Sequence, residues 1–242
     1  MKPYVAICKP CGGHPHWAFQ EALEKAMFDA LRHGIDIITV MKQGAIVEHN
    51  RNLCVNEVLE RHPEVTHLFF VDDDMTFPPA IIRELVRAGK DIVTAQAYTK
   101  IYPFCPVTCV MDPEGRLVPV HLNPIGNPGR GERVSTTGAA CLMIRRHVFE
   151  KVPFPWFLVQ YDRTDRLPPA VRELQKGTEI RGHVLIGEDC WFCAQAQEAG
   201  FAIYCHFGLV VGHIDQGRVI DFRDYEKAQA DERNKGNDQS AR

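Results

Sequence analysis

Apolar residues fall in two alternating rhythms along the first hundred positions. From Trp17 to Arg32 they recur at helical spacing: Phe19, Ala22, Leu23, Ala26, Met27, Ala30 and Leu31 make one stripe, and Gly34 is a natural stop. Short unbroken apolar runs flank this helix at Tyr4–Cys8 and Ile35–Met41 and read as buried strands. Glu48–Arg61 predicts a second helix facing the core through Cys54, Val55, Val58 and Leu59. A third strand, His67–Val71, follows it. Pro78-Pro79 then opens a helix that runs to Ala88, and a strand covers Asp91–Ala95. Strand, helix, strand in this order predicts parallel pairs with right-handed crossovers, the pattern of an α/β sheet.

Beyond Tyr98 the pattern changes. Pro106–Met111 and Arg116–Val120 flank Asp112-Pro113-Glu114-Gly115 and predict a hairpin. Residues 121–133 are rich in Gly, Pro and Asn and read as a flexible loop. Val134–Ile144 reads as a strand with Gly138 inside it, then Arg145–Lys151 as a short helix, then exposed-looking aromatics at Pro153–Phe157. Tyr161–Gly182 is polar and reads as a lid or an acceptor-binding insertion. Gly187-Glu188-Asp189 opens a helix ending at Ala199, with Phe192, Cys193 and Ala196 inward. Strands at Ala202–Phe207 and Leu209–Gly212 lead to His213. The division expected is one domain over residues 1–222, with a nucleotide-binding half (about 1–97), an acceptor-binding half (about 98–222), and a polar tail over 223–242 whose last dozen residues are disordered.

Composition narrows the classes. The 242 residues suffice for one large α/β domain, and 45% hydrophobic with 24% charged residues is ordinary for a globular protein. The net charge of −3 argues against a general nucleic-acid binder. No apolar run approaches a transmembrane length, and the N-terminal one is short for a signal peptide. Nine cysteines, an odd count scattered through core segments, suggest reduced thiols and a cytoplasmic location. Cys8, Cys11, His14 and His16 also have the spacing of a zinc site, although Cys8 falls on a strand and the glycines and prolines suit a ligand loop equally. Cys190 and Cys193, on a helix face, read as buried thiols.

The candidate chemistry sits at element boundaries. Asp72, Asp73 and Asp74 end an apolar strand, where open α/β sheets bind ligands, and a hard divalent cation would relieve their repulsion. Because side chains alternate, Asp73 should point away from Asp72 and Asp74. Gly12 and Gly13 let backbone approach a ligand. Arg51 shares the apolar stripe of its helix and either snorkels outward or enters a site. Glu188 and Asp189 could supply a general base or merely favour the helix start; His213 could complete a metal shell or be structural.

Taken in order, these pieces resemble the GT-A type glycosyltransferases, in particular the family 2 group. Phe69-Phe70-Val71-Asp72-Asp73-Asp74-Met75 resembles their Asp-x-Asp strand end, and Arg51-Asn52 their Arg-Asn pair near the nucleotide. Gly138–Ile144 with Arg145–Glu150 resembles the strand and helix under the acceptor site. Gly187-Glu188-Asp189 resembles the catalytic helix, and His213 a late metal-binding histidine. The resemblance implies a Rossmann-like mixed central sheet and a metal-dependent transfer of a sugar from a UDP- or GDP-linked donor to an unknown hydroxyl acceptor. It implies Mn²⁺ or Mg²⁺ held by Asp74, His213 and Asp72. The nucleotide sugar would lie along Gly12, Gly13, Arg51, Asp72 and Asp73. Asp189 would act as base, supported by Glu188. Three other readings remain, one of them a transferase of nucleotides on the same fold, which would favour a glycine-rich, basic first loop. Asp72–Thr76 also fits the Asp-x-Asp-x-Thr motif of haloacid-dehalogenase-like phosphatases, with Asp72 as nucleophile. The chain could also be a non-catalytic sugar-binding module.

Overall fold

The computed structural model describes residues 2–114, 116–125, 131–163 and 180–240. Strand β1 (Tyr4–Cys11) is longer than its apolar run and pairs in parallel with β2 (Asp36–Gln43) to its end. The Pro10–Cys11 step, expected in a loop, is therefore strand. Helix α1 (Trp17–Arg32) connects the two. Helix α2 (Val47–Arg61) then leads to β3 (His67–Val71), which pairs with the other edge of β1. The chain thus leaves β1 in one direction and returns on its opposite side, creating a crevice beyond the C-terminal ends of β1 and β3.

After the two-residue β4 (Met75–Thr76) come α3 (Ile81–Arg87) and β5 (Ile92–Ala95). The expected hairpin forms as β6 (Cys109–Met111) and β7 (Leu117–Pro119). The single strand expected over Val134–Ile144 is instead two, β8 (Glu132–Val134) and β9 (Cys141–Arg145), and Gly138 lies between them. Val107 Cγ2 would stand 3.3 Å from a Cβ placed on Gly138.

Helix α4 (Arg146–Lys151) precedes β10 (Gln160–Arg163), which pairs with β11 (His183–Ile186). Most of the expected lid, residues 164–179, lies outside the described residues. Helix α5 (Glu188–Glu198) leads through Gly200, in the left-handed region at φ +88°, to β12 (Ile203–His206). The late strand expected at 209–212 is displaced: β13 (Gly212–Asp215) and β14 (Arg218–Ile220) form a hairpin.

The polar segment expected as a tail from residue 223 is helical through Ser240. Phe222–Ser240 is helix α6, anchored at its start by Tyr225, whose ring packs on Tyr98 and His121, and by the buried Ala228. Residues 121–125, expected to be a flexible loop, are tied down as well. His121 pairs with Glu226 at 3.1 Å and bonds the Tyr98 hydroxyl at 2.7 Å.

Among the described residues, the main sheet has seven strands in the order β2-β1-β3-β9-β5-β12-β8, with β9 antiparallel to both its neighbours. Residues of alternate parity feed two cores. On one face Ala6, Cys8, Leu68, Phe70, Leu142 and Ile144 pack under α2, α4 and α5. On the other, Val5, Ile7, Phe69, Val71 and Met143 pack under α1 and α3. Burial on both faces explains why these strands read as unbroken apolar runs. The architecture is the expected Rossmann-like mixed central sheet with flanking helices.

Candidate active site

The three aspartates follow β3 directly, and each carboxylate goes a different way. The turn is held by Asp72 N–H donating to the Ala140 carbonyl at 3.2 Å and Met75 N–H donating to that of Asp72 at 3.3 Å. Asp72 turns toward α2. Arg51 Nη2 donates to its two oxygens at 3.0 and 3.3 Å. Asp73 turns toward β1 and accepts a hydrogen bond from the Cys11 thiol at 2.9 Å, while its carbonyl accepts from His16 N–H. Asp74 turns toward the late hairpin.

That hairpin explains the company Asp74 keeps. β13 pairs antiparallel with β4, setting His213 opposite Met75, and Ile214 N–H donates to the Asp74 carbonyl at 2.7 Å. The close approach needs a glycine: a Cβ on Gly212 would come within 2.3 Å of Val219 Cγ1 and 2.9 Å of Thr76 Oγ1. His213 Nδ1 lies 2.7 Å from the Tyr98 carbonyl, which can only accept, so Nδ1 carries the proton. In the neutral ring Nε2 is then the bare nitrogen, and it lies 3.6 Å from Asp74 Oδ1. That oxygen is buried and, among the described residues, has no hydrogen-bond partner. The other oxygen of Asp74 is ion-paired with Lys100.

A buried acceptor without a donor is costly, and one facing a bare imidazole nitrogen invites a cation between them. The pair therefore fits a divalent ion. Among the described residues no group of three or more His, Cys, Asp or Glu side chains is placed to hold a metal, so two protein ligands are what the fold offers here. Asp72, expected as a third, is committed to Arg51. Mg²⁺ is commonly bound by one or two carboxylates with substrate oxygens and water completing the shell.

Arg51 is the strut of the site. It is 3% exposed, and besides Asp72 it reaches Glu188, with Nε 3.4 Å from Oε1. Its guanidinium also lies 6.0 Å from the Phe157 ring. Burial alone would lower its pKa, but Asp72, Glu188 and Asp189 outweigh that and raise it. Of the two outcomes expected for Arg51, snorkelling outward or entering a site, the structure shows it in the interior, held by two carboxylates. Asn52 beside it clamps the Phe157 main chain in both directions, donating to its carbonyl at 2.7 Å and accepting its N–H at 3.1 Å.

Glu188 and Asp189 occupy the first turn of α5. Burial raises the pKa of Glu188, the neighbouring Asp189 charge adds to it, and Arg51 opposes. Burial likewise raises Asp189, against a 2.7 Å hydrogen bond from Cys190 N–H and the pull of Arg51. Asp189 Oδ2 would be 3.6 Å from a Cβ on Gly138, so the β8–β9 connection lies beside this carboxylate.

Gly12 and Gly13 have open space where a Cβ would stand, next to Cys11, whose thiol also bonds the Gly13 carbonyl. The following His16 caps α1, its Nδ1 accepting from Ala18 N–H at 3.1 Å. The zinc reading is not supported. Cys8 lies wholly in the core beside Cys54, its thiol pKa pushed up by burial; Cys11 is held by Asp73; and His16 is a helix cap.

Other readings also need correction. Trp156 and Phe157, exposed-looking in sequence, are packed in the core, the safer of their two readings. Trp156 Nε1 donates to the Phe149 and Val152 carbonyls, and Phe157 stacks on Phe192 at 5.0 Å. Cys193 is buried as expected, but Cys190 is exposed. Lys100 was missed altogether. It sits in an irregular loop with no periodicity, and only the fold brings it to Asp74.

No family model matches the sequence, and no curated protein matches it. Solved structures do resemble the fold. A197 from STIV is similar over 90% of both chains, with a TM-score of 0.56 and 16% identity. S. aureus TarS (residues 1–349) aligns with 84% of this chain and 57% of its own, at a TM-score of 0.41 and 12% identity. The inositol-1-phosphate CTP transferase from T. maritima aligns over 95% of both chains at 0.43 and 9% identity. At 16% identity the similarity to A197 is one of fold alone.

Proposed function

We propose that the chain is a metal-dependent glycosyltransferase that moves a sugar from a nucleoside-diphosphate donor to a hydroxyl acceptor. The observation that carries this reading is the Asp74 Oδ1 without a partner among the described residues, facing His213 Nε2 beyond the C-terminal end of β3. A donor diphosphate would lie across the crevice between Gly12-Gly13 and Asp74, near the N-terminus of α1, where backbone N–H groups favour anions. Asp74 and His213 would hold Mn²⁺ or Mg²⁺, which supplies positive charge against the charge growing on the leaving diphosphate.

Asp189 would take the proton of the acceptor hydroxyl. A carboxylate whose pKa is raised by burial is a stronger base than an exposed one, which suits that task. Arg51 touches neither reacting atom in this reading. It is a positioning residue that fixes Glu188 and Asp72 relative to each other across the site. The same contact disfavours the phosphatase alternative, because the guanidinium holding both oxygens of Asp72 weakens that residue as a nucleophile.

The test is a thermal-shift screen of UDP- and GDP-sugars with and without Mn²⁺, followed by assay of nucleoside-diphosphate release. Metal-dependent stabilisation that disappears in Asp74→Ala, with donor turnover, supports the proposal. Binding without donor consumption under any acceptor tried would favour a sugar-binding module. Hydrolysis of p-nitrophenyl phosphate with no nucleotide-sugar binding would replace the reading with a phosphatase.

A further inference from the structure

Lys100 belongs to no recognisable motif, yet its ammonium is ion-paired with Asp74 Oδ2, on the same carboxylate whose Oδ1 faces His213. Its position is built rather than accidental. The loop that carries it is closed at its base by the Tyr98↔Pro106 bridge and by Thr99 N–H donating to the Cys105 carbonyl at 2.9 Å. Tyr98, the residue that fixes the tautomer of His213, starts the same loop. Beyond Lys100 the tip is exposed, with Ile101 at 80%. The base is thus pinned to the candidate metal pair while the lysine side chain, about a third exposed, keeps freedom to turn.

An ammonium on Oδ2 and a divalent cation on Oδ1 of one carboxylate stand only a few ångströms apart, and like charges that close repel. In the metal-free chain Lys100 neutralises Asp74. Once a divalent ion is bound, the ammonium is pushed off, and the favourable partner within reach is the anionic diphosphate that such an ion would bring. A compact charge on a flexible stem with three donors suits that exchange better than a planar guanidinium would. We propose that Lys100 is a displaceable counter-ion of the site: it holds Asp74 in the empty protein and transfers to the donor's diphosphate when metal and donor bind. The inference rests on the glycosyltransferase reading of the Asp74–His213 pair and assigns that site a diphosphate-binding residue.

The experiment compares the full-length chain with Lys100→Gln, using two probes: Mn²⁺ alone, titrated by calorimetry, and inorganic pyrophosphate titrated in saturating Mn²⁺. The expected result is a change in opposite directions. Mn²⁺ binds about tenfold more tightly to the variant, because its competitor is gone, and pyrophosphate binds about tenfold more weakly. Unchanged Mn²⁺ affinity would overturn the competition, and unchanged pyrophosphate affinity would overturn the transfer to phosphate. Circular dichroism melting of both proteins guards against misfolding, and Lys100→Arg, which keeps charge and donors, should recover part of the pyrophosphate affinity. Failure of the wild-type chain to bind Mn²⁺ at all would remove the metal pair itself, and the proposal with it. Loss of Mn²⁺ binding in Asp74→Ala but not in Lys100→Gln separates the two claims.

Discussion

Replacing Arg51 by methionine keeps most of the side-chain volume and removes the charge that Asp72 and Glu188 share. Arg51 is 3% exposed, so no water replaces it. Breaking a fully buried ion pair by deleting one partner costs about 3–5 kcal/mol. Here the carboxylates left behind are 27% and 15% exposed, which lets solvent recover part of the loss. A destabilisation of about 2–3 kcal/mol follows, or roughly 5–10 °C in Tm for a chain of this size. The pH dependence has a definite sign. Burial, then the adjacent Asp189 charge, already raises the pKa of Glu188, and burial raises that of Asp189, while Arg51 pulls both down. Without Arg51 both folded-state values climb further above their unfolded values. A carboxyl raised on folding favours the native state only while protonated, so stability is lost as pH rises through the unfolded and then the folded value. The deficit of Arg51→Met relative to wild type should therefore be small near pH 4 and full at pH 8. Differential scanning fluorimetry across that range checks it. An equal deficit at both ends, or a Tm change under 2 °C at pH 8, would refute the strut assigned to Arg51.

Other outcomes follow from the same geometry. Gly212→Ala forces its Cβ against Val219 and Thr76; it should cost about 1–3 kcal/mol and abolish any Mn²⁺-induced rise in Tm, because the hairpin that presents His213 is displaced. Asn52→Ala removes both hydrogen bonds to the Phe157 main chain and should lower stability by about 1–3 kcal/mol in urea melts while leaving Mn²⁺ binding intact. Asp189→Asn should retain donor binding by calorimetry and lose glycosyl transfer by at least about a hundredfold. In the wild type, the acidic limb of kcat should fall above the ordinary aspartate range, because burial raises Asp189; a limb at or below that range would remove it as the base.

The two rhythms of apolar residues were enough to determine the α/β class, α1, α2, α5 and the strands β1, β2, β3 and β5, because a strand or helix buried on a sheet must show its period locally. The aspartates at the end of β3 were legible for the same reason: charges that interrupt a buried run mark where the chain leaves the core. Other features depended on partners distant in sequence. Helix α6 is polar in sequence and predicts a tail, but Tyr225 and Ala228 dock it near its start. The extension of β1 through Pro10 is stabilised by pairing with β2, which outweighs the local preference of proline for loops. The division of labour among the three acids belongs to tertiary structure too. Alternation along the backbone foretold that Asp73 would diverge, but not that Asp72 and Asp74 would part as well. Arg51 from α2 takes one carboxylate, while Lys100 and His213, far apart in the chain, take the other. Which charge faces which carboxylate is a matter of ångströms set by how α2, the loop after β5 and the β13–β14 hairpin close around β3. Local sequence determines only that the carboxylates are there.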